Sequence, residues 1–444
     1  MRFLRGLLLP LVALAGFACA RSSTGDSVLV LLDPSLKRDN FSIFFGDLEK
    51  QGYKLTFRSP KEAEPQIIKD DVAQFAHVIV FSPNTKSYGA DITPQSLVTL
   101  LNKNTNLILA LSTKQTPLSS LAAEFSLILP PPGTPLISHF PQRDTPATVI
   151  PVEASSADSI ISPNLPPVWF SGVPQALGTN PLLVPLLKAP SQSFASDADS
   201  DSGADVVFEA SEKGGEGLWA GKQLSLVTGF QALNNARATW VGGVEMFSDE
   251  YINKEISKGK ASGNRQFVRD VAAWTFQESQ VLRIDSVEHH RVNETLPQEV
   301  YTTNDRVTYE AYISKYNPEL DLWEPYSGIK DLQLEFTMLD PHIRTALSPS
   351  SEPGKYAVTF RVPDRHGVFK FVINHKRKGL TYLESSTVVP VVPPRHDGYP
   401  RFLSAAWPYY AGAFSTSGAF VLFVALWLAG DEREPKKGKG SKAE

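Results

Sequence analysis

The chain has 444 residues, 42% of them hydrophobic and 34 of them proline, with a formal net charge of −4; this length suggests about three domains. No basic stripe interleaved with aromatics occurs, which excludes a nucleic-acid partner. The single cysteine is Cys19, so a disulfide framework, a thiolate metal site and a thiol nucleophile are excluded from the rest of the chain.

Met1-Arg-Phe-Leu-Arg5 is a short basic segment, Leu7 to Phe17 is apolar, and Ala18-Cys19-Ala20 is the small-x-small exit that signal peptidase accepts. Residues 1–20 therefore read as a signal peptide, with the mature chain starting at Arg21. Loss of Arg2 and Arg5 takes the charge to about −6.

Ser27 to Asp33 is a continuous apolar run ending in an acid, the pattern of a strand buried on both faces. An amphipathic helix from Asn40 to Gly52 follows, with Phe41, Phe44, Phe45 and Leu48 at helical spacing. Strands are expected at Tyr53–Arg58, His77–Phe81 and Asn106–Ser112, with a helix at Pro94–Asn102. This alternation predicts a parallel sheet covered by helices, a Rossmann-like or flavodoxin-like α/β domain. The turn after the first strand, Asp33-Pro34-Ser35-Leu36, lacks the glycines of a dinucleotide site. No Walker loop, Gly-x-Ser-x-Gly elbow or His-Glu-x-x-His stretch occurs either. Tyr88-Gly89-Ala90-Asp91 is either a turn or one wall of a crevice at the strand ends.

Residues 127–225 are irregular and rich in proline and serine, and continue or edge the α/β domain, which is assigned residues 21–279. Within them, Asp197 to Asp205 places carboxylates at every second position, as in a calcium loop. The glycine falls one position late, however, and Phe208 stands where a bidentate glutamate is needed. A solvated loop is the preferred reading, and no metal ligand is assigned. A strand at Gln223–Phe230 and a helix at Asn264–Gln277 close the domain. Asn235, Arg237 and Glu245 are a candidate polar cluster beside strand ends, either functional or an arginine–carboxylate brace.

After Ser279 the period changes to two. Short alternating strands separated by turn residues, over residues 280–398, predict an antiparallel β-sandwich. His289-His290 invites a metal reading, but neighbouring residues of a strand face opposite ways and cannot both ligate. Asn40-Phe-Ser42 and Asn293-Glu-Thr295 are sequons, so Asn40 and Asn293 are candidate glycosylation sites; Asn40 also fits a helix N-cap.

From Tyr410 to Ala429 no side chain is charged. About 20 residues at 1.5 Å each cross a ~30 Å hydrocarbon layer, and residues 409–429 are assigned as a transmembrane helix with a cytosolic tail at 430–444. Lys436, Lys437, Lys439 and Lys442 in the tail agree with a type I orientation. Small residues crowd the first half of the span. Gly412, Ser415, Gly418 and Ala419 are expected to pack against a neighbouring helix.

Several separated stretches carry a family resemblance in one order. They include Val28–Asp33 with Leu55-Thr-Phe57, Phe81-Ser-Pro83 with Tyr88-Gly89, Gln231–Arg237 and Phe247-Ser-Asp249. Further on come His289-His-Arg291, Leu332–Phe336 with Asp340-Pro341, and Tyr399-Pro-Arg-Phe402 leading to Tyr409-Tyr410. On these the chain resembles the 48 kDa non-catalytic subunits of eukaryotic oligosaccharyltransferase, the wheat-germ-agglutinin-binding-protein family of fungi.

The resemblance implies an accessory subunit of a complex in the endoplasmic reticulum membrane, with no catalytic residue, cofactor or metal of its own. The implied partners are a ribophorin-II-like subunit, a small defender-against-death-type subunit and a multi-spanning catalytic subunit, with a role in holding the dolichol-linked oligosaccharide or the acceptor polypeptide left open. A dilysine retrieval signal is incomplete here, since the chain ends Ser441-Lys442-Ala443-Glu444; retention then depends on assembly. Two other readings stay open on the residues alone: a stand-alone lumenal carbohydrate-active enzyme using Asp33 or Glu245, and a type I sorting or adhesion receptor.

Overall fold

The computed structural model describes residues 22–154, 160–195, 219–257, 259–395, 397 and 401–430. The expected signal peptide, the Asp197–Asp205 loop and the tail beyond Gly430 lie outside the described residues.

In chain order the first domain contains β1 (Ser27–Leu32), α1 (Ser42–Lys50), β2 (Lys54–Arg58), β3 (His77–Phe81), α2 (Pro94–Asn102), β4 (Asn106–Ala110), α3 (Pro117–Glu124) and β5 (Leu127–Ile128). It continues with β6 (Gln175–Leu177), β7 (Leu183–Lys188), β8 (Leu224–Gln231), β9 (Arg237–Val241) and α4 (Asn264–Thr275). These strands form one nine-stranded sheet in the order β2-β1-β3-β4-β9-β8-β6-β5, with β7 also on β8. From β2 to β9 all neighbours are parallel, and β8 then joins β9 antiparallel.

The unbroken apolar run of β1 follows from cover on both faces. Val28 and Val30 pack with Phe44, Phe45 and Leu48 of α1 and with Phe267, Val271 and Trp274 of α4. Leu29 and Leu31 turn the other way, onto Leu97, Leu100 and Leu101 of α2 and Leu118 and Leu121 of α3. The result is three layers, helix–sheet–helix.

Local chemistry starts two of the helices. At α2, Ser96 N–H donates to Thr93 Oγ1 and Thr93 N–H donates to Ser96 Oγ, with Pro94 at the first helical position. Thr116 and Ser119 repeat this box at α3. The α1 N-terminus differs from expectation. Its helix begins at Ser42, after a 3-10 turn spanning Arg38–Phe41, so Asn40 is not its cap. Asp249 supplies the cap instead, accepting from Ser42 N–H, Ser42 Oγ–H and Ile43 N–H. A carboxylate at a helix N-terminus satisfies orphan donors and opposes the helix dipole.

The second domain is β-rich. It holds β10 (Leu282–Arg291), β11 (Tyr301–Thr302), β12 (Arg306–Asn317), β13 (Leu322–Pro325), β14 (Gln333–Thr337), β15 (Pro341–Ala346), β16 (Ser348–Pro349), β17 (Lys355–Arg361), β18 (Gly367–His375) and β19 (Leu383–Val392). One sheet runs β10-β12-β17-β16 with β13 on β12, and the other runs β11-β19-β18-β14-β15. Both send alternate residues into one core. Tyr309, Ala311 and Tyr356 come from the first sheet, and Phe336, Phe369, Phe371 and Val389 from the second. Phe336 and Phe369 stack with centroids 4.6 Å apart. The last element, α5 (Trp407–Ala429), is a 23-residue helix with no buried residue.

Candidate functional site

The parallel strands place their C-terminal ends on one edge, and the strand order reverses between β1 and β3, where open α/β sheets bind ligands. Asp33 occupies that point. Its Oδ1 accepts from Ser35 N–H (2.9 Å) and Ser35 Oγ–H (2.8 Å), and its Oδ2 from Asn84 N–H (3.2 Å) and Thr85 Oγ1–H (2.8 Å). Burial opposes the charge, but the hydrogen bonds from Ser35, Thr85 and Asn84 outweigh it and hold the carboxyl below its usual range. Both oxygens therefore tie two loops together.

The Tyr88–Asp91 loop is likewise braced. Asp91 takes a bidentate pair from the buried Arg58 guanidinium at 2.7 Å, and the Tyr88 and Ser82 hydroxyls are 2.6 Å apart.

Two strands along, past the ends of β4 and β9, lies a cavity of about 340 Å³ lined by Ser112, Thr113, Thr148, Ser171, Gly172, Gly242, Gly243 and Glu245. The chain crosses itself here at close range. Val173 N–H donates to Gly242 O, and a Cβ on Gly172 would stand 2.2 Å from that oxygen. Glu245 lines the cavity and remains exposed to solvent; the protein packed around it still disfavours the charged form and raises its pKa.

The expected cluster of Asn235, Arg237 and Glu245 does not form. Asn235 and Arg237 precede or open β9, whereas Glu245 follows its other end. Arg237 is instead the centre of the joint between the two domains. It is fully buried and donates to the carbonyls of Trp274 (2.7 Å), Ser279 (2.8 Å) and Gln280 (2.9 Å), with a longer contact to Gly379 (3.5 Å). Its guanidinium lies over the Trp274 ring, 4.9 Å from the centroid. Burial pushes its pKa down to about 9.

Around it, Trp274 Nε1–H donates to Gly379 O (2.9 Å), Gln231 Nε2–H to Leu380 O (2.7 Å), and Asn235 meets Tyr382. Gly379 has φ +83, and a Cβ there would press on Ile160 at 2.9 Å. The sequence reading missed Gln231, Trp274, Gly379 and Tyr382. A lone arginine opening the apolar strand Arg237–Val241 was the available signal.

His289 and His290 face opposite ways. His289 is buried, hydrogen-bonded through Nδ1 to the Tyr301 hydroxyl (2.7 Å) and stacked on Phe371. His290 bonds through Nδ1 to Arg291 O (2.9 Å), and its Nε2 lies 3.9 Å from Glu310. Among the described residues no group of three or more His, Cys, Asp or Glu side chains is placed to hold a metal.

Asn293 and Thr295 are exposed in the β10–β11 connection. Asn40 is exposed too, but Phe41 is buried and the Ser42 hydroxyl is held by Asp249 at 2.6 Å.

Among the described residues one helix, Ser404–Ala429, is long and apolar enough to cross a membrane. The Gly412 carbonyl accepts from both Ser415 Oγ–H (2.9 Å) and Thr416 Oγ1–H (2.8 Å), which satisfies these hydroxyls inside the helix. At ~100° per residue Gly412, Ser415 and Ala419 share a face, and Gly418 sits ~120° away from Gly412. A Cβ on Gly412 or Gly418 would meet nothing within 4 Å.

Two family models match the chain, "OST48, N-terminal domain" over residues 19–278 and "OST48 middle domain" over residues 289–431. The chain is similar to the dolichyl-diphosphooligosaccharide–protein glycosyltransferase 48 kDa subunit of Danio rerio, with 33% identity over 91% of this chain and 92% of the relative. The subunit of the same name from Caenorhabditis elegans is 31% identical over 96% of each chain. That from Arabidopsis thaliana is 29% identical over 95% of this chain and 96% of its own.

Proposed function

The chain belongs to the OST48 family, and on that premise we infer that it is a subunit of the oligosaccharyltransferase complex. That complex transfers a preassembled oligosaccharide from dolichyl diphosphate to asparagine in Asn-x-Ser/Thr sequons of nascent proteins. Within it this chain acts as a non-catalytic structural subunit. The observation that carries this reading is the occupation of its polar groups by the architecture. Asp33 knots two loops at the switch point, and Arg237 locks the domain joint. Depleting the chain should reduce N-glycosylation of reporter proteins and release the other subunits from co-purification. Normal reporter glycosylation after depletion would overturn the proposal.

The finer organisation follows the same reading. The α/β domain, residues 21–279, is flavodoxin-like, supported by parallel strands in the order β2-β1-β3-β4. Residues 280–398 form a β-sandwich, supported by the core that its two sheets share. Both lie in the lumen of the endoplasmic reticulum after removal of a signal peptide, and α5 crosses the membrane once in type I orientation. A face of α5 carrying Gly412, Ser415 and Ala419 meets a helix of a ribophorin-II-like, defender-against-death-type or catalytic subunit. The cavity beside Glu245, ringed by hydroxyls, suits a polar ligand such as part of a glycan; Glu245→Gln should weaken retention of the donor oligosaccharide by the complex.

A further inference from the structure

The β-rich domain is polarised along its strands. At one end, residues 379–382 meet the α/β domain through Gln231, Asn235, Arg237 and Trp274, and Thr381 fastens them to Leu282 at the start of β10. At the other end β10 finishes at Arg291, β14 at Thr337, β17 at Arg361 and β19 at Val392. Arg306 and Gly367 begin their strands there, opposite Arg361 and Val391. Strands of about ten residues separate the two ends by roughly 30 Å.

Large apolar side chains are exposed together at this second end. Leu339, in the β14–β15 turn, is 93% exposed, and Leu296, in the β10–β11 connection, is 72% exposed. Val368, Val388 and Val392 are exposed on the outer face of β18 and β19, where Val368 pairs with Pro390 and Val388 with Lys370. On the α/β domain, exposed Val72, Ile128, Phe140 and Leu233 stand on separate segments, and at the first end of the β-rich domain Leu320 and Leu322 are exposed at the β12–β13 turn. Scattered apolar residues are ordinary on a surface, whereas several gathered at one end of a domain mark a contact.

The chain itself indicates what that contact is. It leaves this end at Val392 and enters α5 at Trp407. Residues 393–406, even fully extended, reach at most about 48 Å. Phe402 stacks on Tyr410 with centroids 4.9 Å apart and lies 6.2 Å from Trp407, an aromatic group of the kind that sits at headgroup level.

We propose that this end of the β-rich domain rests on the bilayer that α5 crosses, with Leu339 and Leu296 lowered into the headgroup layer. The inference rests on reading α5 as a membrane span. Charge at the end is mixed, with Arg361, Arg365 and Lys370 set against Glu294, Asp340 and Asp364, so a zwitterionic surface such as phosphatidylcholine fits and an anionic one is not required. Seated this way, the domain holds the α/β domain a fixed strand-length above the membrane.

The test uses the mature chain from Arg21, which has no cysteine of its own, in phosphatidylcholine nanodiscs, with a single new thiol carrying an environment-sensitive fluorophore. The label goes at Asp340→Cys, or at Glu124→Cys on α3 as the distant control. Phosphatidylcholine spin-labelled near its headgroup should quench the Asp340→Cys label several-fold more than the control. Adding Leu339→Asp and Leu296→Asp should bring quenching down to the control level. Equal quenching at the two positions, or quenching that survives both aspartates, overturns the proposal. Protection of the Asp340→Cys label only when the other subunits are present identifies a protein contact and overturns it as well. A chain that fails to float with phosphatidylcholine vesicles refutes the span, and the proposal falls with it; a chain that floats but shows equal quenching leaves the span standing.

Discussion

The side-chain amide of Asn235 pairs with the main chain of Tyr382 as one strand pairs with another. Tyr382 N–H donates to Asn235 Oδ1 at 2.6 Å, and Asn235 Nδ2–H donates to the Tyr382 carbonyl at 3.3 Å. Asn235 has φ +70, a left-handed conformation that asparagine tolerates better than most residues. Asn235→Asp would point a carboxylate oxygen at the Tyr382 carbonyl. We expect a loss of about 1–3 kcal/mol, read as a lower thermal midpoint and faster proteolysis within residues 376–382. An unchanged midpoint would show that the pair contributes nothing to the joint.

Arg237 raises the stakes at the same joint. Arg237→Met keeps much of the volume but takes the guanidinium donor from the Trp274, Ser279 and Gln280 carbonyls; Trp274 O keeps Gln277 N–H and Gln280 O keeps Thr381 N–H. A hydrogen bond to a charged group contributes about 1.5–3 kcal/mol, and relief of the buried charge offsets part of the loss, so we expect a net cost of about 1.5–3 kcal/mol. Arg237→Lys, with one ammonium in place of a fork, should fall between Met and the native residue. Thermal unfolding of the nanodisc-embedded chain ranks the three.

His77 predicts how stability depends on acidity. It is fully buried, with Nε2 3.1 Å from Gly25 O, Nδ1 3.3 Å from Asn106 Nδ2, and its ring stacked on Phe276 at 4.3 Å. Burial pushes its pKa down from 6.5 to about 3. Between those values the unfolded chain binds a proton that the folded chain does not, so stability falls as pH falls through this window. The slope from this one group is at most about 1.4 kcal/mol per pH unit. His289 and His375, also lowered by burial, act in the same direction. Midpoints measured from pH 7 to pH 4 should fall less steeply for His77→Gln than for the native chain, and parallel slopes would count against the assignment.

The two sequons should behave differently. Asn293 and Thr295 are exposed, while reading Asn40 requires freeing Ser42 from Asp249 and from the first turn of α1. Folded chain presented to the transferase should gain one glycan, lost in Asn293→Gln. Asn40→Gln should alter only glycosylation that occurs during synthesis. Mass spectrometry of both variants, made each way, separates the cases.

On α5, Gly412→Leu should weaken co-purification with the other subunits, because it fills the face shared with Ser415 and Ala419. Gly418→Leu, roughly a third of a turn away, should do less. Equal effects would mean that the helix packs on two sides.

Much of the fold was legible because local chemistry decides it. The run His77–Phe81 and the helix Pro94–Asn102 have the bounds that the sequence implies. One is apolar on both faces and the other carries its own capping box. The same box, Thr116-Pro-Leu-Ser119, announced α3 and was overlooked. What the sequence could not express is non-local. The cap of α1 lies at Asp249, and β9 slots in beside β4 as a parallel neighbour. Arg237 reads on paper as the partner of a nearby acid, yet its ligands are carbonyls from the end of α4 and from a loop near residue 379. Main-chain oxygens leave no trace in side-chain identity, so a joint built from them is visible only in three dimensions.

The distance in sequence between α1 and its cap has a consequence for biogenesis. A ribosome releases Ser42 about 207 residues before Asp249, and at ~5–20 residues per second that interval lasts from about 10 to 40 s. Over that time α1 lacks its cap and β4 lacks the neighbour that β9 will supply, so the first third of the chain waits, open, for the remainder of its domain. During the same interval the Asn40 sequon stays free of the helix that later claims its serine. On the lumenal placement proposed above, this interval is when we expect Asn40 to be open to glycosylation by copies of the complex.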